Sequence, residues 1–146
     1  IDFDLDLAVS QSKDNAVYYI QYAHARVNRM VDVKAPEKGI SFDRSKAADY
    51  DATLLTLDAE TEILAKLAAY PEIVLRAANS YEPHQVGNYL KELAALFHGW
   101  YNLDNTRIID EQNIALSQAR LLLSINVQQV LRNGLELLGV SAPETM

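Results

Sequence analysis

Hydrophobic and polar residues alternate at the start of this chain and then follow a helical period. From Ile1 to Val9 every second residue is apolar, which predicts a half-buried β-strand. Beyond this segment, apolar positions recur every three or four residues, as is typical of amphipathic helices around a core. Because no other segment alternates clearly, we expect the partner strands in a part of the protein that this sequence lacks.

Polar residues, prolines and glycines divide the helical region into five predicted helices. The first runs from about Tyr18 to Val31, and the polar segment from Asp32 to Asp51 is predicted to be a long loop. The others are predicted from Asp51 or Asp58 to Tyr70, from Glu72 to about Asn79, from Pro83 to Tyr101, and from about Asp110 to Leu138. Gly139 follows as a left-handed C-cap, with Val140 placed for its apolar contact. The pattern predicts an all-α helical bundle with a short leading strand.

The first predicted helix has two distinct faces. At about 100° per residue, the core face carries Ala16, Ile20, Ala23, Val27 and Val31. A second arc carries Tyr18, Tyr19, Tyr22, Arg26 and Arg29. Tyrosine rings stack on nucleic-acid bases and arginine pairs with phosphates or base edges, so this arc suggests RNA binding. Periodicity alone favours a simpler interpretation, in which the tyrosines complete the core and the arginines are solvated.

The helix predicted after Pro83 also separates polar from apolar positions. Its apolar face carries Val86, Tyr89, Leu90, Leu93, Phe97, Trp100 and Tyr101. His84, Lys91 and His98 recur every seven residues and are predicted to lie on the polar side.

Composition and charge narrow the function classes. The 146 residues suit a single domain, and the absence of cysteine excludes disulfides, thiolate metal sites and a cysteine nucleophile. A net charge of −7 argues against indiscriminate nucleic-acid binding. The segment from Arg26 to Lys46 nevertheless carries six basic and three acidic residues, so a local basic patch is possible beside the ordinary alternative of a solvated loop.

Residues for catalysis or metal binding do not form recognisable constellations. None of His24, His84 and His98 has a carboxylate or histidine three or four residues further on, so no helical metal site is expected. Glycine-rich phosphate loops and a nucleophile elbow are also missing from the sequence. Two non-enzymatic alternatives stay open: a histidine phosphotransfer bundle using His24, and a helical protein-interaction module.

Three segments resemble signatures of arginyl-tRNA synthetases, and they occur in that family's order. They are Ser10 to Arg26, with D-N-A-V-Y-Y-I-Q-Y-A-H-A-R, then Glu82 to Asn102, and Val130 to Met146. In the family, the first marks the passage from the catalytic domain into the C-terminal DALR anticodon-binding domain. The resemblance therefore implies that residues 1–12 end a catalytic domain and that residues 13–146 form the DALR domain. A start at Ile1 rather than Met fits a C-terminal fragment.

The resemblance also implies that catalysis and tRNA recognition belong to different domains of the enzyme. The full-length enzyme would charge tRNA(Arg) with arginine using ATP and magnesium, through motifs upstream of this segment. We expect no catalytic residue, metal ligand or cofactor within these residues. The expected partners are the tRNA(Arg) anticodon stem-loop and the protein's own catalytic domain, and the enzyme is expected to be a cytoplasmic monomer without a membrane segment.

The implied contact with tRNA centres on the first helix. Arginine anticodons share a middle cytosine, so the domain is expected to bind that base in unstacked form. Tyr19 and Tyr22 are expected to stack, and Arg26 to bind a base edge or phosphate. Further predicted tRNA-binding residues are Tyr101, Arg132, Asn133 and Met146, while His24 is expected to be a structural hydrogen bonder.

Overall fold

The structure, a computed structural model, describes residues 15–103 and 107–146, and within these ranges the chain is helical with no strand. The predicted all-α class is therefore confirmed. The strand predicted at Ile1–Val9 and the domain boundary predicted after residue 12 lie outside the described residues.

Helix α1 spans Ala16–Arg29, and Asn15 caps it by accepting hydrogen bonds from the backbone N–H groups of Val17 and Tyr18. The helix then continues through a π turn, Met30–Lys34, into the short helix α2, Ala35–Glu37. The loop predicted from Asp32 to Asp51 is therefore wrong at its start. A proline ring clashes with the carbonyl four residues earlier in an α-helix, and the wider π turn before Pro36 accommodates it. The rest of that segment holds two 3₁₀ helices, Arg44–Asp49 and Ala52–Leu54.

Four further helices follow close to their predicted positions: α3 at Asp58–Ala68, α4 at Tyr70–Ser80, α5 at His84–Tyr101 and α6 at Ile114–Leu137. Helix α6 begins four residues later than predicted, because the Asn113 side chain caps it at the N–H of Leu116. Its end is as predicted: Gly139 has a φ of 73°, and the Val140 N–H bonds the Leu135 carbonyl at 2.9 Å.

Helices α5 and α6 form the centre of the bundle. Helix α5 packs against α1, α3, α4 and α6, and α6 packs against α1, α3 and α5. The two central helices approach closely at Gly134, where a Cβ atom would lie 2.5 Å from Cδ2 of Leu90. Helix α5 also packs against α1, and a groove lined by residues of both helices opens on the surface.

A buried polar cluster lies in the core between α3, α5 and α6. The carboxylate of Glu60, which is fully buried, accepts hydrogen bonds from Arg120 Nε at 2.8 Å and Trp100 Nε1 at 3.1 Å. Its second oxygen accepts the backbone N–H of Leu57 at the start of α3. Among the described residues, no buried side-chain nitrogen or oxygen lacks a hydrogen-bond partner.

Candidate functional site

A surface groove of about 560 Å³ lies between α1, the π turn, the end of α5 and the C-terminal tail. Its lining combines aromatic, cationic and acidic side chains. It is formed by Tyr22, Ala25, Arg26, Asn28, Arg29, Asp32, Val33, Lys34, Tyr101, Glu144, Thr145 and Met146. Its lining includes three cationic and two acidic side chains, so the groove is more basic than the chain as a whole.

Arg26 is held by aromatic and imidazole partners at the centre of this site. Its Nη1 lies 2.9 Å from His98 Nδ1, and its Nη2 donates to the Tyr22 hydroxyl at 3.2 Å. The guanidinium carbon lies 4.0 Å from the ring centroid of Tyr101 and 4.7 Å from that of Tyr22. These cation–π contacts and hydrogen bonds fix the guanidinium and both rings in one arrangement.

The imidazole of His98, on α5, contacts the guanidinium of Arg26, on α1. The prediction that His98 lies on the polar side of α5 is wrong. It is only 7% exposed, because it lies against α1 between the rings of Tyr19 and Phe97. A guanidinium can only donate, so Nδ1 is the acceptor and Nε2 carries the proton that faces the Tyr19 carbonyl at 3.4 Å. Burial, with a smaller contribution from Arg26, lowers the pKa of His98 to about 4, so the ring is neutral near pH 7.

A sequence signal for His98 was available in the neighbouring positions. Ala94 precedes it by four residues and Tyr101 follows it by three, so an apolar helical stripe passes directly through the histidine. Because His98 also recurs at seven-residue spacing with His84 and Lys91, it was grouped with these polar residues and not with the apolar stripe. His84 and Lys91 are both exposed, as predicted.

Lys34 enters the site because the π turn continues α1. Its ammonium donates to the Tyr101 hydroxyl at 2.7 Å and lies 5.4 Å from the centroid of the same ring. Tyr101 is thus held by two cations, Arg26 over its ring and Lys34 at its hydroxyl. Sequence reasoning assigned Lys34 to a basic loop, and only the helical continuation brings it to the groove.

The C-terminal tail forms the opposite wall of the groove. Side chains of α1 donate to three of its carbonyls: Gln21 to Ser141 at 2.9 Å, His24 to Pro143 at 3.0 Å, and Asn28 to Glu144 at 3.4 Å. These donors are spaced three and four residues apart, which places them on one side of the helix. They bring the last three residues, 144–146, to the groove.

The structure brings together four of the seven residues predicted to bind tRNA. Tyr22, Arg26, Tyr101 and Met146 line the groove, and Tyr19 lines an adjacent one of about 320 Å³ that shares Tyr22 and Arg26.

Arg132 and Asn133 lie elsewhere. Arg132 Nε donates to His24 Nε2 at 3.3 Å behind the tail, and Asn133 accepts from Gln129 on an outer face of α6. Tyr18 lines the adjacent groove and Arg29 lines the main groove, although neither is among the residues predicted to bind tRNA.

His24 is a buried structural residue. Its side chain is fully buried; Nδ1 donates to Pro143, and Nε2 accepts from Arg132. Burial is the largest cause of its lowered pKa, and Arg132 and Arg44 lower it further. With both ring nitrogens engaged and no solvent access, His24 cannot take a phosphoryl group, which removes the structural basis for the phosphotransfer alternative.

The described ranges contain no group of three or more His, Cys, Asp or Glu residues suited to a metal ion. No helix in the described part of the chain is long and apolar enough to span a bilayer. What the groove offers instead is aromatic surface beside fixed hydrogen-bond donors, an arrangement suited to planar, polar and anionic ligands.

Comparison with known proteins agrees with this chemistry. The family model described as the DALR anticodon binding domain matches residues 20–146, which is most of the chain. The chain belongs to this family. The DALR resemblance found in the sequence is thereby confirmed.

Proteins similar to this DALR domain include arginine–tRNA ligases. The chain is 75% identical to arginine–tRNA ligase of Acinetobacter baumannii over 146 residues, and 54% identical to that of a Psychrobacter species over 154 aligned residues. Both matches cover 100% of the chain but only 24% and 25% of the relatives, so it spans about a quarter of their length. Among solved structures, Thermus thermophilus arginyl-tRNA synthetase matches with a TM-score of 0.80 at 30% identity, over 100% of this chain and 24% of that one.

Proposed function

We propose that this DALR domain binds the anticodon stem-loop of tRNA(Arg) and accepts an unstacked anticodon base in the groove beside Arg26. The supporting observation is the juxtaposition of a partly exposed Tyr22, 37% accessible, with a guanidinium held by His98 and Tyr101. An unstacked base needs an aromatic face and in-plane donors, and the groove presents both.

Each of the groove residues would make a different contact with the RNA. Tyr22 would stack on the base, because part of its ring is open to solvent. Arg26 has five N–H donors, two of which bond His98 and Tyr22, so others remain for the acceptors of cytosine. Arg29 and Lys34 would neutralise neighbouring phosphates at the edge of the groove.

The longer protein that carries this domain would join arginine to tRNA(Arg). In this proposal ATP and its magnesium bind the catalytic domain, which lies in the same chain outside these residues. The DALR domain then supplies recognition alone. We propose a cytoplasmic monomer, in which tRNA selection and catalysis are performed by separate domains of one chain.

A titration against two RNA hairpins tests this function. One hairpin carries an arginine anticodon, the other the same loop with uracil in place of the middle cytosine, and binding is followed by the anisotropy of a dye on the RNA. We expect a preference of roughly 5- to 150-fold for the cytosine hairpin, the equivalent of about 1–3 kcal/mol. The full-length ligase of A. baumannii serves as the positive control for the RNA. Equal binding of both hairpins would contradict the proposal.

Two pairs of variants locate the site. We expect Tyr22→Ala and Arg26→Ala each to weaken binding by about 1–3 kcal/mol. Their matched controls are Tyr81→Asn and Arg76→Ala, which change an exposed tyrosine and an exposed arginine that do not line the groove. Asparagine is chosen because residue 81 has a φ of 55°, which asparagine tolerates. Normal affinity of both groove variants, with folding confirmed by circular dichroism, would exclude this groove as the site.

A further inference from the structure

We infer that His24 is a positioning residue for RNA binding, because its hydrogen bond to the tail sets the wall of the groove formed by residues 144–146. This inference rests on the proposed function. His24 itself does not line the groove, and it is fully buried beneath the tail. Its influence on RNA would therefore pass entirely through the backbone of the tail.

Three side chains of α1 donate to the tail, and both ring nitrogens of the middle one, His24, have a hydrogen-bond partner. His24 Nε2 accepts from Arg132 Nε at 3.3 Å, which leaves the proton on Nδ1, directed at the Pro143 carbonyl 3.0 Å away. The carbonyl of His24 accepts a hydrogen bond from Gln128 at 3.1 Å. The imidazole is thus locked in the tautomer that holds the tail.

The third donor, Asn28, is oriented by the same neighbours. Its side-chain oxygen accepts from Gln128 Nε2 at 2.6 Å and from Arg44 Nη2 at 2.8 Å. Arg44 also donates to Gln128 Oε1 at 2.7 Å, which closes the network. With its oxygen occupied by two donors, the amide nitrogen of Asn28 must face the tail, where it lies 3.4 Å from the Glu144 carbonyl.

A tail held in advance lowers the cost of binding. Ordering a loose segment when a ligand arrives costs free energy for each residue immobilised, and this cost reduces affinity. The donors from α1 order the tail beforehand, so Glu144, Thr145 and Met146 already lie along the groove. Loss of the His24 hydrogen bond should therefore weaken RNA binding, although no contact with RNA is removed.

Two substitutions of His24 separate the tail contact from simple burial. Asparagine places its amide nitrogen near the position of Nδ1 and can still donate to Pro143, whereas glutamine reaches the position of Nε2 beside Arg132. We expect His24→Asn to bind the cytosine hairpin within about twofold of wild type, and His24→Gln to bind roughly fivefold more weakly, the value of one hydrogen bond.

The decisive measurement repeats this comparison in a chain shortened after Ala142, which lacks the Pro143 carbonyl and the groove wall. We expect the shortened chain to bind the cytosine hairpin more weakly, and the asparagine and glutamine variants to bind it equally. A penalty for His24→Gln that persists in the shortened chain would show a structural effect unrelated to the tail and would overturn the inference. Unchanged hairpin affinity after removal of the tail would also overturn it.

A measurement without RNA keeps this inference distinct from the proposed function. Carboxypeptidase should release the last residues of the chain faster from His24→Gln than from wild type or His24→Asn, because the tail detaches more often. Equal release from all three would overturn the inference even if RNA binding is normal. If His24→Gln releases these residues faster but the wild-type chain binds the cytosine and uracil hairpins equally, the proposed function fails while the role of His24 in holding the tail stands.

Discussion

At the scale of single residues, ion pairs of similar geometry have different importance because they differ in burial. Glu60 and Arg120 meet at 2.8 Å with side chains 0% and 10% exposed, and Glu72 and Arg76 meet at 2.7 Å with side chains 71% and 59% exposed. Water screens the second pair, whereas the first pair is satisfied only by its protein partners.

Replacing Glu60 with glutamine should therefore destabilise the fold strongly. Arg120 would keep its charge in a buried site without a counter-ion, and we expect a loss of about 3–5 kcal/mol in the free energy of unfolding. Glu72→Gln is the matched control, with an expected loss below about 1 kcal/mol. Urea unfolding measures both, and similar losses for the two variants would contradict this account of burial.

Sequence reasoning grouped the candidate residues that share one helix and missed those that reach the groove only through the packing or continuation of a helix. Tyr22 and Arg26 lie on one arc of α1 whatever that helix packs against, so the helical period suffices to group them. His98 joins them only because α5 lies against α1, and Lys34 only because the π turn extends the helix. Such contacts depend on tertiary packing, which spacing along one helix does not encode.

At the scale of elements, α1 continues through Met30–Lys34 into Ala35–Glu37, so the first part of the basic segment is helical and not a loop. Polar composition with Pro36 and Gly39 is typical of a loop, and a proline inside a helix is disfavoured, so the sequence favoured the wrong structure. The helical continuation places Lys34 at the edge of the groove, and Lys38 directly follows α2.

These two lysines should add electrostatic affinity without base selection. In a chain carrying Lys34→Gln and Lys38→Gln, we expect affinity for the cytosine hairpin to fall less steeply with salt, with the log–log slope reduced by about one to two. The ratio of affinities for cytosine and uracil hairpins should not change, since phosphate contacts carry no base information. Titrations at several salt concentrations give both quantities, and an altered ratio would assign one lysine to base recognition.

The close approach of α5 and α6 at Gly134 leads to a second prediction at this scale. Alanine favours helices over glycine by about 1 kcal/mol, yet at position 134 its Cβ would lie 2.5 to 2.9 Å from three Leu90 side-chain atoms in a fully packed core. We expect Gly134→Ala to destabilise the protein by about 1–3 kcal/mol. Gly99→Ala is the control, since nothing lies within 4 Å of its Cβ position and propensity should raise stability. Thermal unfolding that shows two changes of the same sign would contradict the close approach.

At the scale of the whole molecule, an acidic chain carries a locally cationic groove. The net charge of −7 repels polyanions in general, while Arg26, Arg29 and Lys34 converge on one surface. Net charge alone therefore argues against RNA binding, and only the arrangement of these charges in space shows that the groove is locally cationic. The all-α fold, in contrast, was predictable as a whole, because helical periods and their stop signals recur along the chain.

Buried neutral histidines should make the fold sensitive to mild acid. Below pH 6.5 the unfolded chain binds protons at its histidines, while the folded pKa of His98 is about 4 and that of His24 is also lowered. The free energy of unfolding should thus fall as pH drops from about 6.5 to 4, by about 3 kcal/mol for His98. Asp43 and Asp51, whose pKa values are lowered from 3.8 by hydrogen bonds, add losses only below this range.

Urea titrations of wild type and His98→Gln across this pH range test the prediction. The variant should show a shallower decline, because one of the titrating groups is gone. Equal slopes would mean that His98 is not shielded from protonation in the folded state.

The place of Trp100 in the buried cluster has a practical consequence for optical measurements. It is the only tryptophan in the chain, it is 1% exposed, and its indole N–H is bonded to Glu60 rather than directed at the groove. Its fluorescence should consequently shift to longer wavelength when the core opens to water. Occupation of the groove should leave that emission largely unchanged. One protein sample thus carries a built-in reporter of unfolding, while RNA binding is read independently from the labelled hairpin.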